Sequence, residues 1–267
     1  MHGYPGAVVG RIPHPPGQHL DSTVLQVFAG YNFSPRWGLQ FNLPIIHRAF
    51  LRPEGSAIDQ GTVSGIGDVS MTGHFNILQR KEENWGVSWN VLGGIKLPTG
   101  DTSRLAEELH EVEVPGAPES GIHGHDLTLG SGSVDGLVGT SLSARWRRLF
   151  FTASAQYSIR STGSYDYRYA NDVTWSGGPG GYILLGDPWT LSVQLNISGE
   201  QKGLDTFQGA KAGDTGTTAV YLGPELQLTW KNRVSLEVGV DLPVVMNTTS
   251  FQTVPDYRIH GSLTFRF

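Results

Sequence analysis

The sequence predicts an all-β protein: an antiparallel transmembrane β-barrel of about twelve strands, eleven of them clear in this chain, with short periplasmic turns and long extracellular loops. Three observations predict it. Apolar and polar residues alternate position by position from about residue 20 to the last residue. The alternating segments are of nearly one length, and the connections between them are short and long in turn. Five of the seven tryptophans flank the short connections.

The alternation is explicit in Trp37-Gly-Leu-Gln-Phe-Asn-Leu-Pro-Ile45, where Trp37, Leu39, Phe41, Leu43 and Ile45 share one face. Trp189-Thr-Leu-Ser-Val-Gln-Leu-Asn-Ile197 repeats the pattern, and so does Trp85-Gly-Val-Ser-Trp-Asn-Val91. Read this way, strands lie near 21–34, 37–49, 66–80, 84–97, 133–146, 149–162, 171–185, 189–201, 217–230, 233–246 and 256–267. Short turns fall at 34–36, 81–84, 147–148, 186–188 and 231–233. Longer loops fall near 50–65, 98–132, 163–170, 202–216 and 247–255. Within the longest, residues 104–113 have the composition of a short helix.

Composition narrows the class. Of 267 residues 16% are charged, below the roughly 25% of soluble domains. No run of apolar residues is long enough for a transmembrane helix. The net charge of −5 is spread out, which leaves no basic footprint for nucleic acid. There are no cysteines. The opening Met1-His-Gly-Tyr-Pro-Gly6 has neither a charged nor an apolar signal region, so a signal is expected to lie outside this numbering, or the chain to be a fragment.

Trp37, Trp85, Trp146, Trp189 and Trp230 all fall on the apolar face beside short turns, and are expected to form a girdle at one membrane interface. A soluble barrel would have to crowd these five indoles into one end of its lumen. The final strand closes on Phe267, a form resembling the C-terminal signal of outer-membrane barrels. The first and last clear strands run the same way, and a closed antiparallel sheet needs an even number. A twelfth strand is therefore expected, from Gly6–Ile12 or from before Met1. Residues 1–19 are read as an N-terminal segment, a short strand or plug, and 20–267 as the barrel.

Polar strand positions face the lumen. Register estimated from the short turns sets Asp68 opposite Lys96, His74 opposite Asn90, and Asp135 opposite Arg160. Glu225, Glu237 and Asp241 share the lumen with Arg258 and His260. These residues other than His74 and Asn90, nine in all, are candidates for selectivity. The competing reading is structural, with opposed charges fixing register. Phe28, Phe150, Tyr182 and Tyr221 also fall on the lumen face.

No catalytic constellation is expected. Gly130-Ser-Gly-Ser-Val does not complete a nucleophile elbow, and His74 with Ser70 or Asn90 is placed inside rather than at the lipid-facing rim. His123, His125 and Asp126 are weak metal candidates with no recognised ligand spacing. An acidic solvated loop explains them as well. No cofactor is expected.

Three stretches carry a family resemblance: Gly65-Ile-Gly-Asp-Val69, then Gly94-Ile-Lys-Leu-Pro-Thr-Gly-Asp101, then Leu129-Gly-Ser-Gly-Ser-Val-Asp135. In this order they resemble the outer-membrane transporter family named after the MetA pathway of phenol degradation. The resemblance covers residues 20–267 and implies an outer-membrane barrel that moves small organic molecules. The expected function is accordingly a channel or transporter for small solutes, hydrophobic or aromatic molecules among them. The alternatives are a non-transporting barrel with a structural or adhesion role, or a barrel enzyme. Expected partners are outer-membrane lipid, a small-molecule solute, and the outer-membrane assembly machinery through the C-terminal strand.

Overall fold

The computed structural model describes residues 17–54, 57–109, 121–249, 252 and 254–267. Its strands are β1 (His19–Asn32), β2 (Trp37–Glu54), β3 (Ala57–Ile66), β4 (Ser70–Lys81), β5 (Trp85–Lys96), β6 (Asp135–Trp146), β7 (Leu149–Ile159) and β8 (Tyr167–Arg168). There follow β9 (Asp172–Leu185), β10 (Trp189–Lys202), β11 (Thr206–Phe207), β12 (Ala210–Lys211), β13 (Thr217–Trp230), β14 (Val234–Thr248) and β15 (Arg258–Phe265). One sheet runs β1-β2-β4-β5-β6-β7-β9-β10-β13-β14-β15, with β3 paired to the far half of β2. β3 and β4 are two halves of one strand path, parted at Gly67-Asp68-Val69, so the sheet has eleven paths. All pairs are antiparallel, and the sheet curls into a half-barrel. The small strands β8, β11 and β12 form a second sheet among the loops.

The pleat divides this sheet as the alternation demands. Trp85 lies opposite Trp146, Trp89 opposite Leu142, and Trp189 opposite Trp230, so cross-strand partners share the convex face. Large apolar side chains on that face are open: Leu39, Phe41, Leu142, Val193, Leu195 and Leu236 are each more than a third exposed. The concave face carries Gln26, Gln40, Asn42, Thr72, Asn90 and Gln156 instead. The buried apolar side chains gather elsewhere, at the long-loop end, where Phe50, Ile122 and Leu127 form one cluster.

The structure departs from the sequence reading in the β2–β3 connection and in the β4–β5 register. The loop expected at 50–65 is a strand hairpin, with β2 reaching Glu54 and β3 starting at Ala57. Pro53 and Gly61 interrupt the apolar rhythm there, and hairpin ends beyond a membrane need no apolar face. The β4–β5 register is displaced: Ser70, not Asp68, lies opposite Lys96, and His74 lies opposite Leu92 rather than Asn90. The turn is centred later than estimated, closing on Lys81 opposite Gly86, and a bulge between Asn76 and Leu78 takes back only one step of that displacement. The β6–β7 register runs as expected, with Gly136 opposite Ile159, although β7 ends before Arg160.

β1 and β15 are the two edges of the sheet, and both run from the long-loop end toward the short-turn end. Residues 6–12, the expected source of a twelfth strand, lie outside the described residues, as do 110–113 of the expected loop helix. The remainder of that helix is a 3-10 segment, Ser103–Leu109.

Candidate functional site

The site is the concave face and the loops that fold over its mouth. At its centre is Asp68. Its carboxylate accepts from Lys96 Nζ at 2.6 Å, Gly100 N at 3.0 Å, Ser131 N at 2.9 Å and Ser131 Oγ at 2.8 Å. One side chain thereby holds both ends of the 98–132 loop. Gly100 and Gly130 meet there so closely that a Cβ on Gly100 would lie 2.7 Å from Gly130 Cα, so neither strand of the loop base admits a side chain at that point. Backbone bonds from Leu129 N and Gly130 N to Asp101 O complete the closure.

From Asp68 a chain of alternating charge crosses the wall. Lys96 also pairs with Asp135 at 2.8 Å, Asp135 with Arg160 at 3.1 Å, and Arg160 with Asp172 at 2.7 Å. Asp135 is fully buried, and buried carboxylates persist only when paired in this way. Asp68 therefore reaches Lys96 by side-chain length, although the two are not directly opposed. A second group sits on β13–β15. His260 faces Glu225 at 3.5 Å and Asp241 at 3.6 Å, Gln227 donates to Glu237 at 3.5 Å, and Arg258 lies over the Tyr221 ring while donating to its hydroxyl. The nine candidate residues thus form two groups rather than one ring.

The described halves of the 98–132 loop fold inward. Leu105 and Leu127 are fully buried, and Ile122 packs with Leu127 on the inward-facing Phe50. Each such side chain contributes roughly 1.5–3 kcal/mol by burial. Polar contacts tie the same loop to β2: Arg52 pairs with Glu107 at 2.7 Å and donates to Ile122 O, and Arg48 donates to Thr128 O. Neighbouring loops join this cap. Tyr169 donates to His125 O at 3.0 Å, and Tyr167 stacks on the His125 ring with its hydroxyl on buried Asp205 at 2.7 Å. Asp205 also takes Lys202 and Ala170 N.

Within the cap, His125 Nδ1 lies 3.0 Å from Glu108. Burial opposes charge on both, but the neighbouring Asp126 and Glu108 carboxylates hold the imidazole up at about 9. Burial likewise opposes the Glu108 carboxylate, and its bond to His125 outweighs this and holds it down at about 2. The depressed Glu108 contributes stability above its ordinary 4.5, lost as pH falls toward 2. The raised His125 contributes stability below its ordinary 6.5, lost as pH rises through 9. Cap docking is expected to be tightest between these ordinary values. Amide exchange at Leu105 and Leu127, corrected for intrinsic rate, should be slowest near pH 5.5 and faster at pH 3 and pH 9.5. A flat profile would remove this pair from the docking energy.

Beneath the cap the concave wall lines a half-open cavity of about 1030 Å³. Amides and hydroxyls dominate its lining, with Phe28, Leu92 and Leu137 as an apolar patch and no carboxylate. Phe150 and Tyr182 pack on each other at 5.1 Å, and Tyr221 is buried. His74 Nε2 bonds Asn32 Oδ1 at 3.0 Å, while Ser70 lies across from Lys96 and Asn90 bonds Asn76. His74, Ser70 and Asn90 therefore make no relay. His123 and His125 stack at 5.5 Å, with His125 turned to Glu108 and His123 Nε2 3.5 Å from Asp214. No group of three or more potential ligands converges among the described residues. Trp37, Trp85, Trp146, Trp189 and Trp230 stand at the short-turn end of the convex face, 39–60% exposed.

Sequence reasoning missed Ser131, Asp172, Asp205, Tyr167 and Lys202. Ser131 had a signal, since it lies inside one of the three motifs. Asp172 and Lys202 sit at the loop ends of β9 and β10, and Tyr167 and Asp205 within the loops, where no periodicity places a side chain.

An eleven-path antiparallel sheet, curled, apolar outside and polar within, has the fold of outer-membrane channels. Among solved structures it resembles an outer membrane channel from Pseudomonas putida F1, with a TM-score of 0.57 and 16% identity over 92% of this chain and 82% of that one. The porin NanC aligns with a TM-score of 0.36 and 14% identity over 91% of this chain and 99% of that one. The likeness of fold rests on the first. No family model and no curated protein matches the sequence.

Proposed function

We propose that the chain is the wall of an outer-membrane channel for small solutes, hydrophobic or aromatic molecules among them, and not an enzyme. The observation that carries this reading is the inverted polarity: exposed Leu, Val, Phe and Trp outside, a hydrogen-bonding cavity inside. The dimensions support it. β5 has 12 residues. At about 3.3 Å each and a tilt of about 40°, it rises about 30 Å, the thickness of a hydrocarbon core. The five tryptophans are then the girdle at the periplasmic interface, and the C-terminal strand the segment offered to the assembly machinery.

The inward-folded loop supports transport over adhesion, because its described halves are spent on closing the mouth. Phe28, Leu92 and Leu137 among amides suit a solute with an apolar face and a polar edge. The three motifs of the MetA-pathway transporter resemblance meet at Asp68, which favours membership of that family. The charge chain from Asp68 to Asp172 is chiefly an anchor for the cap, and the Glu225–Asp241–His260 group is the better candidate for selectivity.

Single-channel recording in a planar lipid bilayer tests the reading. A small steady conductance is expected from the intact chain, limited by the cap. A folded, inserted protein that conducts neither as wild type nor with the cap released would sink it.

A further inference from the structure

The charged side chains are distributed unevenly between the two ends of the sheet. The first short turn carries Arg36, and the second carries Arg80 and Lys81 with Glu82 and Glu83. Arg145, Arg147 and Arg148 surround the third, and the fourth holds Asp187 alone. Lys231 and Arg233 form the fifth, and Arg266 follows β15. Nine of the 19 basic residues and three of the 24 acidic ones therefore sit on this one rim. The chain as a whole is at −5, so the rim is strongly positive and the rest strongly negative.

All but one of these cations are exposed, Arg145 being half-buried. Where they are bonded, it is to uncharged oxygens: Arg145 to the carbonyls of Glu82, Glu83 and Arg147, Arg148 to Ile183 O, Arg266 to the Ser235 hydroxyl. The same rim carries the tryptophans. Arg147 lies over the Trp146 ring at 5.4 Å and Lys231 over Trp230 at 5.1 Å. Each pairing holds a cation beside an indole that stands on the convex face.

We infer that this rim is a binding collar for the phosphates of anionic glycerophospholipids in the leaflet at the short-turn end. The inference rests on the membrane-spanning reading above. An indole at headgroup depth fixes the level of the collar, and a cation stacked on it is presented to the headgroup phosphate rather than to the lumen. Basic side chains near an anionic leaflet attract it additively, and that attraction is screened by salt. Zwitterionic lipid offers the same phosphate with a compensating ammonium, so the collar discriminates between the two.

Five of the seven tryptophans report on this rim directly. The intact chain is reconstituted in phosphatidylcholine bilayers containing either brominated phosphatidylglycerol or brominated phosphatidylcholine at equal mole fraction, and tryptophan quenching is compared. The anionic lipid is expected to associate about threefold more strongly, and more so at low salt. Replacing Arg36, Arg147, Lys231 and Arg233 together by glutamine should bring the ratio to unity, with Lys231→Gln alone giving a partial fall. Arg168→Gln with Lys211→Gln, at the opposite end, should leave it unchanged. Equal quenching in the wild type would overturn the collar while leaving the barrel intact. A raised ratio that survives the fourfold replacement would overturn it too. Absence of quenching by either lipid in a folded protein would remove the collar and the membrane reading together.

Discussion

Asp68→Ala is expected to release the 98–132 loop from both of its ends at once and to open the mouth of the cavity. The carboxylate is the common acceptor for Gly100 N, Ser131 N, Ser131 Oγ and Lys96 Nζ. Truncation strands two backbone donors in a half-buried site, each costing about 1 kcal/mol or more, while the Ser131 hydroxyl keeps that of Ser133 as a partner. Lys96 keeps Asp135 as a partner, which moderates the loss of the ion pair. A net destabilisation of about 2–4 kcal/mol is expected, concentrated in the loop rather than the wall. In a bilayer the conductance should rise several-fold with the ion selectivity unchanged, and trypsin should cut sooner after Arg104. Asp68→Asn, which keeps an acceptor for Gly100, should fall between. A shift in selectivity without any loosening of the loop would instead make Asp68 part of the permeation path.

Leu142→Arg should separate a membrane wall from a soluble sheet. Leu142 lies mid-strand in β6 opposite Trp89, on the convex face, and is 39% exposed. In water a charge at an exposed strand position changes stability by about 0.5 kcal/mol or less. At the middle of a bilayer the same change costs about 2–4 kcal/mol. Urea unfolding from lipid vesicles is expected to show the larger loss. Ser141→Arg, one residue along and facing the cavity, should cost less. Equal and small effects at both positions would place water on both faces.

Much of the fold is legible in the sequence because a strand wall states its two faces at every second residue. The convex series Trp37, Leu39, Phe41 could be written down from alternation alone, and the positions of all five short turns follow from where that alternation breaks. Register was legible where the turn is tight, as at Arg147-Arg148, and displaced where the turn is longer, as at Lys81–Gly86, with a bulge at Ile77 shifting it again by one. A bulge leaves no mark in a hydrophobic pattern when the extra residue is itself apolar.

The candidate site was legible only in part. Three glycine-rich motifs far apart in sequence marked strand ends, but that they close on one carboxylate is a property of the curled sheet. The tight approach of Gly100 to Gly130 explains why those positions carry no side chain. The cap around His125, Tyr167 and Asp205 was not legible, because irregular loops pack by shape and offer no period to read.

The double anchorage of the loop has a further consequence for how such a protein can change. With Gly100 and Ser131 pinned to the same side chain, the loop leaves and re-enters the wall at one point. The span between these two feet is a closed tether, and closing a tether of twice the length costs only about 0.6 kcal/mol more. Insertions and deletions between the feet would thus reshape what covers the cavity while leaving strand register and bilayer contact as they are. The cap is in that sense an interchangeable part, and Asp68 is the fitting that lets it be exchanged.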